Sequence, residues 1–333
     1  MKKSVFWVLV GAISLSACKE APKREYKPES IGAINSVSVI MDTDLWEGRV
    51  GDKIREHFAA PMEGLPWDEA KFTLTQMPEQ VFSGATKNTR AVLFVKKDSI
   101  ERAHIKTDLY AAPQKIGVIK STTADGLIAH IDSVAPRLVK AFKDQEILAA
   151  QNRFRKSLNK ESALQKKFGI SLNIPSAYRV GREADNFVWI DRQIRKGHMN
   201  IIAYTMPGES FGTDSTFVKD IIRMRDSIGE LYIPGPDSPD KVTYMVTEKA
   251  FAPYVFPAEL DGHKAAEVRG IWEVKNYPMA GPFITYIIND PENDRKVVLE
   301  GFTFAPSTEK RDYMFQLEAI MKSVRFLETP VKE

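Results

Sequence analysis

Cysteine is almost missing from this chain. Cys18 is the sole cysteine among 333 residues, so no disulfide forms within the chain, and no second thiol is present for a metal or a nucleophile. A core of this size does not need disulfides. Histidine is scarce too. His57, His104, His130, His198 and His263 are scattered without an H-x-x-x-H spacing, which speaks against a zinc site. No charge predominates: 47 Lys and Arg stand against 44 Asp and Glu, a formal +3 with no basic stripe, and this balance argues against a nucleic-acid partner. Beyond the first twenty residues no apolar stretch approaches the eighteen that would suggest a spanning helix. There is no P-loop, no G-x-G-x-x-G, no internal repeat and no low-complexity segment. No cofactor and no metal is expected.

The amino terminus is more telling. Lys2 and Lys3 precede an apolar run from Phe6 to Leu15, too short for a permanent membrane helix. The run ends in Leu15-Ser16-Ala17-Cys18. That ending resembles the bacterial lipobox, a branched apolar residue and two small ones before cysteine. The resemblance implies a signal peptide at 1–17, cleavage between Ala17 and Cys18, and a diacylglycerol thioether on Cys18. Two or three acyl chains would hold the protein to a membrane essentially permanently, since each buried methylene contributes about 0.8 kcal/mol. Cleavage leaves 316 residues and takes Lys2 and Lys3 away, so the formal charge falls to +1. Residues 19–30, KEAPKREYKPES, carry two prolines and little that is apolar, so 18–32 is expected to be a lipidated tether. Its Lys19-Glu20 start is similar to charged signals that send some lipoproteins of Bacteroidota to the outer face of the outer membrane; a solvated linker accounts for it equally. The expected location is the cell envelope, most naturally the outer membrane, with the face left open.

The globular part is expected to be α/β (α+β): two mixed or antiparallel sheets, each packed with helices, in domains 33–158 and 160–328. In the first, strands are expected at 36–41, 72–76 and 91–95, with a hairpin of 104–110 and 115–120 around "AAPQ". Asp44 is expected to cap a helix through Phe58, although Gly48 and Gly51 weaken it. Thr122 or Thr123 should cap a helix from Ala124 to about Ser157, kinked at Pro136. In the second, strands are expected at 177–182, 187–192 and 200–205. A helix capped by Thr213 or Asp214 and ending near Ile228 follows, then strands at 242–246, 263–274, 283–289 and 297–304. Pro278 and Pro282 should break the chain between two of these. Lys310 to Val324 reads as a closing helix, with Tyr313, Leu317, Ile320 and Val324 on one face.

The "IP" before the first strand, "FVWI" in the second, the long meander and the final helix resemble the PsbP-like α/β/α sandwich, whose members serve mostly as non-enzymatic binding or assembly factors. "DLWEGRVGDKIREHF" (44–58), "IPSAYRV…NFVWIDRQ" (174–193) and "GFTFAPSTEKRDYMFQLEAIMKSV" (301–324) resemble a lipoprotein family of Bacteroidota known only as a domain of unknown function. That resemblance brings no activity and no catalytic residues.

One stretch spells chemistry. Gly208-Glu-Ser210-Phe-Gly212 matches the G-x-S-x-G of a hydrolase nucleophile elbow. However, Pro207 and Gly208 turn the chain before the serine, and Gly212-Thr213-Asp214 delays the helix after it. His263 is the sole later histidine, with Asp237, Asp240 or Asp261 to complete a triad, and a meander is not the run of βα units such an enzyme needs. A polar loop explains the spelling, and no catalytic residue is expected. Asp290, Glu292 and Asp294 alternate like part of a calcium loop but lack its glycine and terminal glutamate, so they read as a charged hairpin tip. Trp46, Trp67, Trp189 and Trp272 are candidates to line a carbohydrate or peptide cleft, but Trp189 and Trp272 lie in apolar strands, where tryptophan is more often core. The expected function is therefore that of an envelope lipoprotein that binds or assists assembly, contacting the membrane through Cys18 and another envelope protein through an apolar patch. The alternative is a small-ligand or glycan binder with an aromatic pocket between the halves, and the remaining alternative is a serine hydrolase using Ser210.

Overall fold

A computed structural model describes residues 26–212 and 215–327; Ala17, Cys18, Thr213 and Asp214 lie outside them. The class is α+β. The first half runs β1 (Ser36–Ile40), α1 (Thr43–Glu47), α2 (Arg49–Phe58), β2 (Thr73–Met77), β3 (Ala91–Lys97), β4 (Arg102–Thr107), β5 (Lys115–Ser121) and α3 (Ala124–Phe154). Its mixed sheet has the order β2-β1-β3-β5-β4. The first four strands run parallel, and β4 returns antiparallel on β5. Strand periodicity sorts the side chains. Val37, Val39, Leu93 and Val95 face Ile54, Phe58, Ile131 and Leu138 of α2 and α3, whereas Ile40, Val92 and Ile116 meet Phe82 on the other face.

The helix expected over 45–58 is two helices. The break falls at Gly48, whose backbone is extended. Thr123 caps α3 as read, its Oγ1 accepting from Gly126 N at 3.0 Å. The helix continues through Pro136, which is exposed.

The second half runs α4 (Ala163–Phe168), β6 (Ile170–Ser171), β7 (Arg179–Ala184), β8 (Phe187–Ile194), β9 (Gly197–Pro207), α5 (Phe217–Tyr232), β10 (Met245–Thr247), β11 (Tyr254–Leu260), β12 (His263–Val274), β13 (Tyr277–Asp290), β14 (Arg295–Phe304), α6 (Arg311–Met321) and β15 (Arg325–Phe326). The large sheet is antiparallel, in the order β10-β12-β13-β14-β9-β8-β7, with β11 pairing β12. One face packs on α4 and α6 through Ile201, Tyr286, Leu299, Phe168, Leu317 and Ile320. The other packs on α5 through Phe187, Tyr204, Ile287, Val298 and Ile221. The result is an α/β/α layering. Gly301 lets α6 approach, since a Cβ there would stand 2.9 Å from Leu317 Cβ.

The chain does not break at the prolines. β13 runs straight through Pro278 and Pro282. Its register with β14 begins only at Phe283↔Phe302, so among the described strands Pro282 pairs with Ile271 of β12 alone, while Pro278 falls in the register irregularity beside Val274↔Tyr277; an edge and a bulge both tolerate a missing N–H.

Polar contacts join the halves. Glu69, buried in the loop before β2, accepts from Lys310 N and from Arg311 N (2.7 Å), placing a carboxylate on the first turn of α6. Gln151 of α3 donates to Ala319 O at 3.0 Å. Below them Glu318 of α6 receives Lys143 of α3 (2.9 Å), Lys322 (2.7 Å) and Arg269 of β12 (2.8 Å).

Candidate ligand-binding site

α5 covers only part of its sheet face. Where α5 ends, the chain turns through Ile233-Pro234-Gly235-Pro236 back to β10 and leaves a cavity of about 580 Å³ between this turn and the sheet. That volume lies in the range of small-ligand sites. Alternate residues of neighbouring strands build its floor: Trp189 and Asp191 from β8, His198 and Asn200 from β9, Phe302 and Phe304 from β14, and Trp272 from β12. The period of two puts each pair on one face.

The aromatic rings stand at angles to one another and make a concave wall. Trp272 meets Phe302 edge-on at 5.8 Å, and Trp189 lies tilted against Phe302 at 6.2 Å. Trp272 is 2% exposed, and its indole N–H finds no acceptor among the described residues. Trp189 is half-exposed and donates Nε1–H to Asn200 Oδ1 at 3.0 Å. An indole nitrogen only donates, so the Asn200 carbonyl oxygen must be the acceptor and its amide NH₂ is left over. Arg182 is fixed at the rim by its bond to Tyr232 O (2.7 Å).

Of the four tryptophans singled out, Trp189 and Trp272 thus come together. Trp46 lies under Arg55 and Trp67 under Lys310, 3.8 Å from its ring centroid, both away from the cleft. The aromatic cavity lies within the second half rather than between the halves. A smaller one, about 260 Å³, does sit at the junction, lined by Asn35, Phe72, Phe256 and Arg269 among others. Sequence reasoning missed Asp191, Asn200, Phe302 and Phe304; the period of two shows that Asp191 shares a face with Trp189 and Phe302 with Phe304, but not that these strands meet.

The hydrolase alternative gains no support from the geometry. Ser210 Oγ donates to Pro207 O at 2.6 Å, and His263 Nδ1 lies 2.8 Å from Asn289 O with its ring stacked on Phe326. The strand leading to Ser210 and the strand carrying His263 are separated by β14 and β13, three spacings or about 14 Å. An unactivated serine is a weak nucleophile. A fluorophosphonate probe should leave the protein unlabelled, and Ser210→Ala should change stability by no more than about 0.5 kcal/mol in urea unfolding. Stoichiometric labelling lost in both Ser210→Ala and His263→Ala would establish a hydrolase. Three of the other flagged groups are engaged, whereas His104 Nδ1 is buried without a partner among the described residues. Asp290 takes Arg295 (2.7 Å) and Asn293, His57 meets Asp132 (2.7 Å), and His130 meets Glu101 (3.0 Å).

Two families match the chain, each described only as a domain of unknown function: DUF4837 over residues 157–323 and DUF8532 over 30–155. No curated protein matches. Among solved structures, the chain is similar to the Ran-binding protein Mog1p of Saccharomyces cerevisiae, at 10% identity and a TM-score of 0.29, covering 48% of this chain and 91% of that one. A point mutant of Mog1 gives 12% identity and 0.26, over 48% and 92%. A STAR-related lipid transfer protein from Xanthomonas axonopodis gives 9% and 0.21, over 44% and 96%. These scores are too low to transfer a function.

Proposed function

The chain belongs to the DUF4837 family, whose description assigns no function, and we propose that it is a lipid-anchored lipoprotein of the bacterial envelope that works by binding a small ligand in the cleft of its second sheet, without catalysis. The observation that carries the binding reading is the cavity itself, concave and mostly apolar, with four aromatic rings and a few polar groups in its lining. The anchor rests on Leu15-Ser16-Ala17-Cys18, and the outer membrane and a Bacteroidota origin belong to the same reading. So does the likeness to PsbP-like binding factors, which the α/β/α layering supports. The division into 33–158 and 160–328 is supported by the two family matches, which part between 155 and 157.

Two measurements test this. Cys18→Ser should abolish palmitate labelling and release the protein from membranes; continued labelling, or sedimentation with membranes in high salt, overturns the anchor. The purified chain should bind the neutral apolar dye N-phenyl-1-naphthylamine with a blue-shifted emission, and Met279→Glu, which sets a charge in the cleft wall, should abolish that signal. A folded wild-type protein that leaves the dye unchanged overturns the cleft.

A second reading, contact with another envelope protein, is favoured by one surface. Phe251 is 70% exposed, and Tyr254 and Val255 follow it on β11, a strand whose one partner among the described residues is β12. Cross-links formed in cells through this strand and lost in Tyr254→Arg would support it.

A further inference from the structure

Resting on the cleft as a binding site, we infer that its ligand is a saccharide. The polar wall decides the class. Asn200 and Asp191 are directly opposite partners of β9 and β8, so their side chains rise from one face about 5 Å apart. Trp189 occupies the carbonyl oxygen of Asn200, which leaves the amide to donate. Among the described residues the Asp191 carboxylate has no hydrogen bond and no ion pair, so it is left to accept. A donor and an acceptor side by side match two neighbouring hydroxyl groups, each of which donates and accepts. On the same floor, the neighbouring rings of Trp272, Phe304 and Trp189 supply apolar surface for the C–H side of a sugar ring.

Other occupants fit less well. An aliphatic chain would bury the Asp191 carboxylate against hydrocarbon with nothing to bond it. An anionic headgroup would meet that same carboxylate, and Arg182, the one guanidinium among the lining residues, is already held by Tyr232. A quaternary ammonium suits the rings and the carboxylate, but leaves the Asn200 amide without an acceptor.

Calorimetry and tryptophan fluorescence on the purified chain decide the matter. The probes are trisaccharides of glucose, mannose, galactose, xylose and N-acetylglucosamine, tetramethylammonium, and N-phenyl-1-naphthylamine. At least one trisaccharide should bind and displace the dye, with affinity at least tenfold weaker in Trp189→Ala and in Asp191→Ala. The second variant removes a side chain with no hydrogen bond or ion pair among the described residues, so it tests the site should the first fail to fold. Failure of all five sugars while dye or tetramethylammonium binds overturns the saccharide and leaves the cleft standing. Failure of every probe overturns both. A sugar bound equally well by wild type and Asp191→Ala sits elsewhere, and that too overturns the assignment.

Discussion

Replacing Glu318 by leucine should lower the unfolding free energy by about 3–5 kcal/mol, the cost of removing one partner from a buried ionic cluster. Glu318 is fully buried and receives Lys143, Lys322 and Arg269. Arg269 also pairs with Glu267 at 2.7 Å, and Tyr286 donates to Glu267 at 2.8 Å. The cluster holds three cations against two carboxylates, so losing Glu318 leaves three positive charges facing Glu267 alone. These groups come from α3, α6, β12 and β13, hence both halves should loosen together. The cluster also sets an acid limit. Burial alone would raise the Glu318 carboxyl, but Lys143, Arg269 and Lys322 overcome it and hold the group well below its ordinary 4.5. Burial likewise raises the Glu267 carboxyl, but neighbouring Arg269 overcomes it, so this group is also lowered. A carboxyl with a depressed folded value contributes its full stability above the unfolded value. That contribution is lost as pH falls from about 4.5 through the folded values. Urea unfolding between pH 7 and pH 2 should show a steeper acid loss in wild type than in Glu318→Leu. Equal slopes, or a cost under 1 kcal/mol at pH 7, would mean that the cluster does not join the halves.

What the sequence reveals follows from which forces are local. Alternation in β8 and β9, the Thr123 cap, the hairpin of β4 and β5 and the apolar stripe of α6 depend on neighbours within a turn or two, and all are legible. The break at Gly48 and the passage of β13 through Pro278 and Pro282 depend on the neighbours present. A strand proline is admissible only where one side is unpaired, and pairing is a property of the sheet. The cleft is illegible for the same reason. Trp189, Asp191, Asn200 and Phe302 carry no spacing that announces a site. They meet because β14, β9 and β8 lie side by side in that order and register. Ser210 shows the reverse case, a local spelling whose required partners the fold keeps apart.

Arg225 is the other residue whose role the sequence hides, and its loss should be as costly as that of Glu318. In "FVKDIIRMRDSIGELY" it reads as one more charge on a surface helix, yet it stands four residues after Ile221, on the stripe that faces the sheet. It is 1% exposed. Its Nε and Nη2 bind both oxygens of Glu300, at 2.8 and 2.7 Å, Nη1 donates to Thr247, and its guanidinium carbon lies 3.4 Å from the Phe283 ring centroid. Thr285 donates to the same carboxylate at 2.7 Å. Arg225→Met keeps the length of the side chain but strands Glu300 without its cation, for a cost of about 3–5 kcal/mol in urea unfolding. Adding Glu300→Leu removes the stranded charge as well, so the double variant should recover most of that loss; apolar replacement of a whole buried pair is often neutral or stabilising. The pair also matters to the cleft. Arg225 ties α5 to β14 and, through Thr247, to β10, and the turn between α5 and β10 roofs the cavity. Dye affinity should therefore fall in Arg225→Met and return in the double variant, tracking stability across the cycle. A single variant as stable as wild type, or a double variant no better than the single, would show that helix packing alone holds the roof.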